Sequence, residues 1–342
     1  MNTPITIGIL SAARIAPKAL VQPARQVADV LAYGVAARDP ARARHFAQRH
    51  GVARAYASYD AMLADPNIDA IYNPLPNSLH CAWTIQALRA GKHVLCEKPF
   101  AANADEAQQM ADAAADCGLV LMEAFHNLYH PLAARSRELI QSGAIGPLRH
   151  VEAHFCIPLM RFNDIRYDFA LAGGATMDLG CYAIRLLRYL TSAEPTVTSA
   201  RAYLSAPQVD RFMEATFTFP SATGADISGR MTCSFFSRKL LHISASARGE
   251  RGEIRLINPV LPHLFNRLSI RASGRTHTET VSGETTYLYQ LRAFADAVRG
   301  EAPIFTDAQD AVANMRVIDA VYEAAGLRRR GERGYIRGCA GE

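Results

Sequence analysis

The chain is 342 residues long, more than one hydrophobic core usually serves, so two domains are expected. Apolar residues make up 49% of it and charged ones 20%, a balance that excludes long disordered tracts. The net charge of +5 is spread along the sequence, and its one basic block, Arg328 to Arg330, reads as a solvated tail, so no nucleic-acid partner is expected.

In chain order, short apolar runs first alternate with helix-length amphipathic stretches, the mark of a doubly wound parallel sheet. Strands are predicted over 5–10, 30–37, 69–73, 92–96 and 120–123, and helices over 16–26, 40–50, 82–90 and 104–117. Asn103 has the form of an N-cap and Gly118 that of a C-terminal stop for the last of these. Beyond Phe125 the texture changes. One helix over 131–142 is followed by segments of period-two alternation at 151–158, 213–219, 226–236, 240–247 and 268–272, which predict a mostly antiparallel sheet. Helices over 287–299 and 307–325 close the pattern. The expected organisation is an α/β Rossmann domain over 1–125, an α+β domain with an open, mostly antiparallel sheet over 126–330, and a tail over 331–342.

The seven cysteines, Cys81, Cys96, Cys117, Cys156, Cys181, Cys233 and Cys339, form an odd set without a Cys-x-x-Cys pair. The first residues lack the basic and long apolar regions of a signal peptide, and no stretch reaches transmembrane length. Reduced thiols, a cytoplasmic location and no membrane partner are therefore expected. The histidines lack the spacing of a metal site, so no metal is expected.

Four places carry candidate chemistry. The first strand runs into a turn whose dinucleotide-loop glycine positions are filled by Ser11, Ala13 and Ala16; these are small, and the following helix start offers unpaired N–H groups to an anion. An ordinary strand-to-helix turn is the alternative. The second strand ends in Ala37-Arg38-Asp39, where a carboxylate usually grips a ribose hydroxyl; Arg38, helped by Arg42, instead suits a 2′-phosphate, or simply solvates a helix start. Glu97-Lys98-Pro99 follows a buried strand and so lies at the carboxyl edge of the sheet, where ligands of such folds sit. A desolvated Lys98 beside a cationic ring would have its pKa pulled down and assist proton transfer; a solvated lysine is the alternative. In the segment from Gly173 to Tyr182, Asp178 and Tyr182 are four residues apart and share a helix face. Tyr182 is either a weak acid supported by Lys98 or a tyrosine held structurally by Asp178.

With 72–80, 91–99, Met122-Glu123-Ala124-Phe125, His130-Pro131 and 173–182 in view, the chain resembles the Gfo/Idh/MocA family, the group of glucose-fructose oxidoreductase, inositol dehydrogenase and rhizopine-catabolism oxidoreductases. Within it the chain is similar to the branch of dimeric dihydrodiol dehydrogenase and NADP-linked D-xylose dehydrogenase. The resemblance implies a Rossmann domain joined to an open-sheet domain whose face commonly forms a homodimer. It makes Lys98 and Tyr182 the catalytic pair and Asp178 an orienter in the substrate site. Ser11, Ala13, Arg14, Ile15 and Arg38 are then expected at the cofactor, NADP(H) in preference to NAD(H), with Asn73, Pro74, Leu75, His80, Glu97 and Lys98 on its nicotinamide side. His126 is expected to contact substrate. The implied reaction moves a hydride between the nicotinamide and a secondary alcohol or ketone of a sugar, polyol or cyclic vicinal diol. Departures at Ser11, Ala13, Ala172, Ala183 and His126-Asn127-Leu128 keep two alternatives open: a ketoreductase of a specialised-metabolism intermediate, and a dinucleotide-binding sensor without turnover.

Overall fold

The structure is a computed structural model that describes residues 3–161, 163–221 and 224–331. Strands β1 (Ile5–Leu10), β2 (Val30–Ala36), β3 (Arg54–Tyr56), β4 (Ala70–Asn73), β5 (His93–Cys96) and β6 (Leu121–Glu123) form a six-stranded sheet in the order β3-β2-β1-β4-β5-β6, with every pairing parallel. Helices α2 (Pro40–His50), α4 (His80–Arg89) and α5 (Ala104–Cys117) are crossovers of this sheet, and the first crossover is a π-helical turn, Pro17–Val21, continued by α1 (Gln22–Ala24). Because helices cover the sheet, its central strands are buried on both sides, and Ile7, Ile71 and Leu95 are inaccessible to solvent. Asn103 caps α5 by accepting from the Glu106 amide, and Gly118 ends it with φ +64°. β3 and the short helix α3 (Tyr59–Leu63) are absent from the sequence reading, since three to five residues do not show a period.

After helix α6 (Pro131–Gln141) come β7 (Leu148–Cys156), α7 (Cys181–Thr191), β8 (Thr196–Ala206), β9 (Val209–Phe219), β10 (Ile227–Ser234), β11 (His242–Gly249), β12 (Gly252–Ile257), β13 (Arg267–Ala272) and β14 (Arg275–Glu279). They build an eight-stranded sheet in the order β14-β13-β12-β11-β7-β10-β9-β8, antiparallel except for β10 beside β7. One face, with Val151, Ala153, Met213, Ala215, Phe217 and Met231, is buried against α7 and α9 (Ala308–Ala324); the other is polar. The edge strands β8 and β14 were missed from sequence because both their faces are largely exposed, which removes the alternation.

The last helices return to the first sheet. Leu288, Leu291 and Phe294 of α8 (Thr286–Val298) join the apolar cluster of β1 and β2, and α9 packs on α5. The expectation of a solvated basic run is corrected at Arg330, which is fully buried against Asp210. A carboxylate waiting inside the fold, too far away in sequence to be anticipated, overrides the bias of charged residues for the surface. Of the tail predicted over 331–342 only Gly331 is described; the rest, with Cys339, lies outside the described residues. Among the described residues no helix is long and apolar enough to cross a membrane, and no group of three or more His, Cys, Asp or Glu residues is arranged to hold a metal.

Candidate active site

The carboxyl edges of β4, β5 and β6 lie in register, Asn73 beside Cys96 and Cys96 beside Glu123, so the segments leaving them converge. Glu97 and Lys98 follow β5, Pro74 and Leu75 follow β4, and Phe125 and His126 follow β6. The segment Thr176–Gly180 and α7 close the group from the side of the second sheet.

Lys98 is largely buried and donates to the backbone oxygen of Asp178 at 2.9 Å and to its carboxylate Oδ1 at 3.0 Å. An ammonium has three N–H groups, so one is left for a ligand. Its nitrogen lies 4.8 Å from the centre of the Tyr182 ring, a cation–π distance. The other Asp178 oxygen accepts from Arg166 Nε at 2.8 Å, and Arg166 also pairs with Asp164 at 3.0 Å. Asp178 thus stands between two cations, and Arg166, in the single 3-10 turn Ile165–Tyr167, had no signal in the sequence. The alternative in which Asp178 holds the tyrosine is corrected: the Tyr182 hydroxyl shares a hydrogen bond with His126 Nε2 at 3.1 Å. Both partners are buried, and Phe125 and Phe155 meet the Tyr182 ring edge-on at 5.3 and 5.5 Å. Tyr287, also unanticipated, lies against the His126 ring at 4.2 Å between centres.

Burial alone would lower the Lys98 pKa, but the Asp178 carboxylate, followed by Cys181 and Glu97, more than offsets it and holds the ammonium above its ordinary value. The downward pull expected from a cationic ring therefore has to work against Asp178. For Asp178 the desolvation penalty is outweighed by Lys98 and then Arg166, which keep it ionised. Burial pushes the Tyr182 phenol well up, so it stays protonated without a ligand. It also takes His126 down to about 3, with Lys98 and His263 adding to the shift, so this imidazole is neutral. His126 Nδ1 has no hydrogen-bond partner among the described residues. Glu97 accepts from the Tyr72 hydroxyl at 2.6 Å, yet burial still raises its pKa.

Other residues singled out from sequence build the walls. Asn73 is inaccessible to solvent; its amide donates to the His80 carbonyl and to Thr84 and accepts from the Leu75 amide. His80 is equally buried, with its two ring nitrogens 2.9 Å from the Pro99 oxygen and 2.8 Å from the Leu75 oxygen. These side chains brace the turns after β4 and β5. At the turn after β1, Ser11 takes φ +84°, the left-handed region that glycine fills at little cost. Ala13 and Arg14 line a cleft of about 580 Å³ between this turn and α2, together with Arg42, His45 and Arg49. Arg38 is exposed at its edge without lining it. The Asp39 carboxylate in the cleft already accepts from the Ala41 amide as the cap of α2.

The whole chain can be set beside known proteins. Residues 5–125 match the family model described as an oxidoreductase family with an NAD-binding Rossmann fold, and residues 133–255 match the Gfo/Idh/MocA C-terminal domain. The chain is 38% identical over 320 residues to the D-xylose 1-dehydrogenase (NADP(+)) 2 of Haloferax volcanii, covering 93% of this chain and 96% of that one. It is 34% identical over 226 residues to the trans-1,2-dihydrobenzene-1,2-diol dehydrogenase of Macaca fascicularis, covering 66% of each. Among solved structures, a 3-ketoreductase from Actinomadura kijaniata in complex with NADP and TDP-benzene superposes with a TM-score of 0.85 at 27% identity, covering 95% of this chain and 98% of that one.

Proposed function

We propose that this chain, which belongs to the Gfo/Idh/MocA oxidoreductase family, is an NADP(H)-dependent dehydrogenase or reductase acting on a secondary alcohol or ketone of a sugar, polyol or cyclic vicinal diol. The observation that carries this reading is the meeting of Lys98 and Tyr182 at the carboxyl edge of the parallel sheet, the ammonium 4.8 Å from the ring.

The cleft beside β1 fits a phosphorylated dinucleotide. Three guanidinium groups and two histidines surround it, and its one carboxylate is already engaged as a helix cap. Arg14, Arg42 and Arg49, with Arg38 at the edge, would hold the 2′-phosphate end, while Ser11 and Ala13 would admit the pyrophosphate to the start of the following helix. When bound, the nicotinamide supplies or accepts the hydride. The protein's own part is the proton. Tyr182 exchanges it with the substrate oxygen, and the Lys98 cation stabilises the phenolate that results when the proton leaves. Asp178 and Arg166 keep Lys98 in place, and neutral His126 orients the Tyr182 hydroxyl. Phe125 and Phe155 exclude water from the tyrosine face.

A ketoreductase reading is supported by the similarity to the Actinomadura enzyme and by His126 beside the tyrosine hydroxyl. We also place the domain boundary after Phe125 and read the polar face of the eight-stranded sheet as a homodimer surface, in a chain whose described cysteines are all free and suited to the cytoplasm. Nicotinamide absorbance, followed with NADP+ or NAD+ against pentoses, hexoses and trans-dihydrodiols, and with NADPH against the matching ketones, tests the reaction. Tight cofactor binding without turnover on any of them would replace the enzyme with a sensor. Light scattering of the purified chain tests the dimer.

A further inference from the structure

Asp210, at the start of β9, is inaccessible to solvent and its carboxylate accepts four hydrogen bonds. Two come to Oδ2 from the amide and hydroxyl of Thr176, both at 2.7 Å; two come to Oδ1 from the Tyr322 hydroxyl at 2.9 Å and Arg330 Nη2 at 3.0 Å. Arg330 is also fully buried. Its Nε donates to the Gly173 oxygen at 2.7 Å, and its guanidinium carbon lies 3.9 Å from the centre of the Tyr322 ring. Its own backbone oxygen accepts from Asn103 at 2.8 Å, the residue that caps α5 in the Rossmann sheet's last crossover.

One arginine therefore links the cap of α5 in the first sheet's layer to the segment from Gly173 to Thr176 beside the second sheet. That segment leads straight into the turn carrying Asp178, whose amide donates to the Gly174 oxygen at 3.1 Å. Gly174 has φ +137°, and a Cβ there would stand 2.2 Å from the Asp210 oxygen and 2.9 Å from Arg330 Nη2, so the backbone presses directly on the ion pair. A buried, fully hydrogen-bonded ion pair of this kind contributes little net stability but does specify one arrangement of the groups around it. We propose that Arg330, acting through Asp210 and Gly173, is a positioning residue that sets where Asp178 stands relative to Lys98. The inference rests on the reaction assigned above, in which that contact supports the proton step.

The test follows Lys98 itself and needs no turnover. In wild type, Arg330→Lys and Tyr322→Phe, the pH dependence of acylation of the Lys98 amine is measured by competitive labelling, with Lys18 and Lys239 as exposed references. Arg330→Lys keeps the charge, so a change cannot come from a lost long-range field. Lys98 is faced by Asp178, Cys181, Glu97 and Arg166, by the Tyr182 ring and by His126; Asp178 is tied to the Arg330 cluster through the turn, and Arg166 through its backbone oxygen, which accepts from the Gly174 amide at 2.8 Å. Loosening that turn should lower the Lys98 midpoint by roughly one pH unit in Arg330→Lys, and by less in Tyr322→Phe, with the references unmoved. In kinetics kcat should fall about tenfold, its alkaline limb moving down with the Lys98 midpoint, while NADP(H) affinity changes less than about twofold. An unshifted Lys98 midpoint in either folded variant overturns the inference, whether or not the enzyme turns over. Wild-type protein that reduces or oxidises nothing would instead count against the assigned reaction alone.

Discussion

The Tyr182 hydroxyl and His126 Nε2 lie 3.1 Å apart, both buried, and this contact separates the tyrosine from the residue four positions before it on the same helical face. Asp178 turns instead to Lys98 and Arg166. The two side chains that sequence spacing groups together thus have different partners: Tyr182 meets a neutral imidazole, Asp178 two cations.

Tyr182→Phe removes the hydroxyl and leaves the packing. If it acts as described, kcat should fall by about 10²–10⁴-fold while NADP(H) affinity changes little. Near-normal turnover would take Tyr182 out of the chemistry. His126→Phe, which removes only the hydrogen bond to the hydroxyl, should have a smaller effect of about tenfold in kcat.

Asp178→Asn tests the electrostatics. With the carboxylate gone, the desolvation of Lys98 is no longer outweighed, so the alkaline limb of kcat should move to lower pH. The sign for stability follows from the two shifts. Lys98, raised, contributes stability that is present below its ordinary pKa and is lost as pH rises through its folded value; Asp178, lowered, contributes stability that is present above its ordinary pKa and is lost as pH falls through its folded value. A kcat profile identical to wild type would show that Lys98 does not limit the alkaline side.

The cofactor cleft makes a selective prediction. Arg42→Ala and Arg14→Ala should each weaken NADP(H) about tenfold, the scale of one charge-assisted hydrogen bond, and leave NAD(H) within about twofold. Arg38→Ala, at the exposed edge, should cost less. Titration with both dinucleotides decides the matter, and equal losses for the two would remove the 2′-phosphate from this cleft.

Ser11 holds a left-handed backbone without being glycine. Ser11→Gly should stabilise the folded chain by up to about 1 kcal/mol, the relief of strain being partly offset by the greater freedom of glycine when unfolded. Chemical denaturation measures this, and a clear loss of stability would mean that the serine hydroxyl makes a compensating contact.

Glu123 ends β6 inside the protein with no side-chain partner within hydrogen-bond distance among the described residues. Burial, reinforced by Asp310, pushes its pKa up from 4.5 to about 8. Stability associated with the protonated form is full below the ordinary value and declines as pH rises to about 8. Glu123→Gln should therefore raise the melting temperature relative to wild type more at pH ~9 than at pH ~5, a comparison that follows from the linkage of protonation to folding. An equal change at both values would mean that the carboxyl ionises normally.

Much of the architecture could be read directly from the chain. The parallel sheet announces itself by nearly continuous apolar runs such as Ile5–Leu10, broken only by Thr6 and Gly8, because strands covered on both faces favour apolar side chains on both. The central strands of the second sheet show in the alternation of Met213, Ala215, Phe217 and Phe219. Asn103, Gly118 and the small residues of the first turn are local, and so is the position of Lys98 two residues past a strand end.

What the tertiary structure alone decided is which distant groups meet. Arg166 reaches Asp178 from a 3-10 turn too short to show a period, and His126 reaches Tyr182 across 56 positions. Arg330 turns inward because Asp210, 120 positions earlier, offers a buried carboxylate. Periodicity records only the average environment of a segment, buried or exposed. The partner of a buried polar group is set by the packing of whole elements, and β8 and β14, largely exposed on both faces, leave little periodic trace.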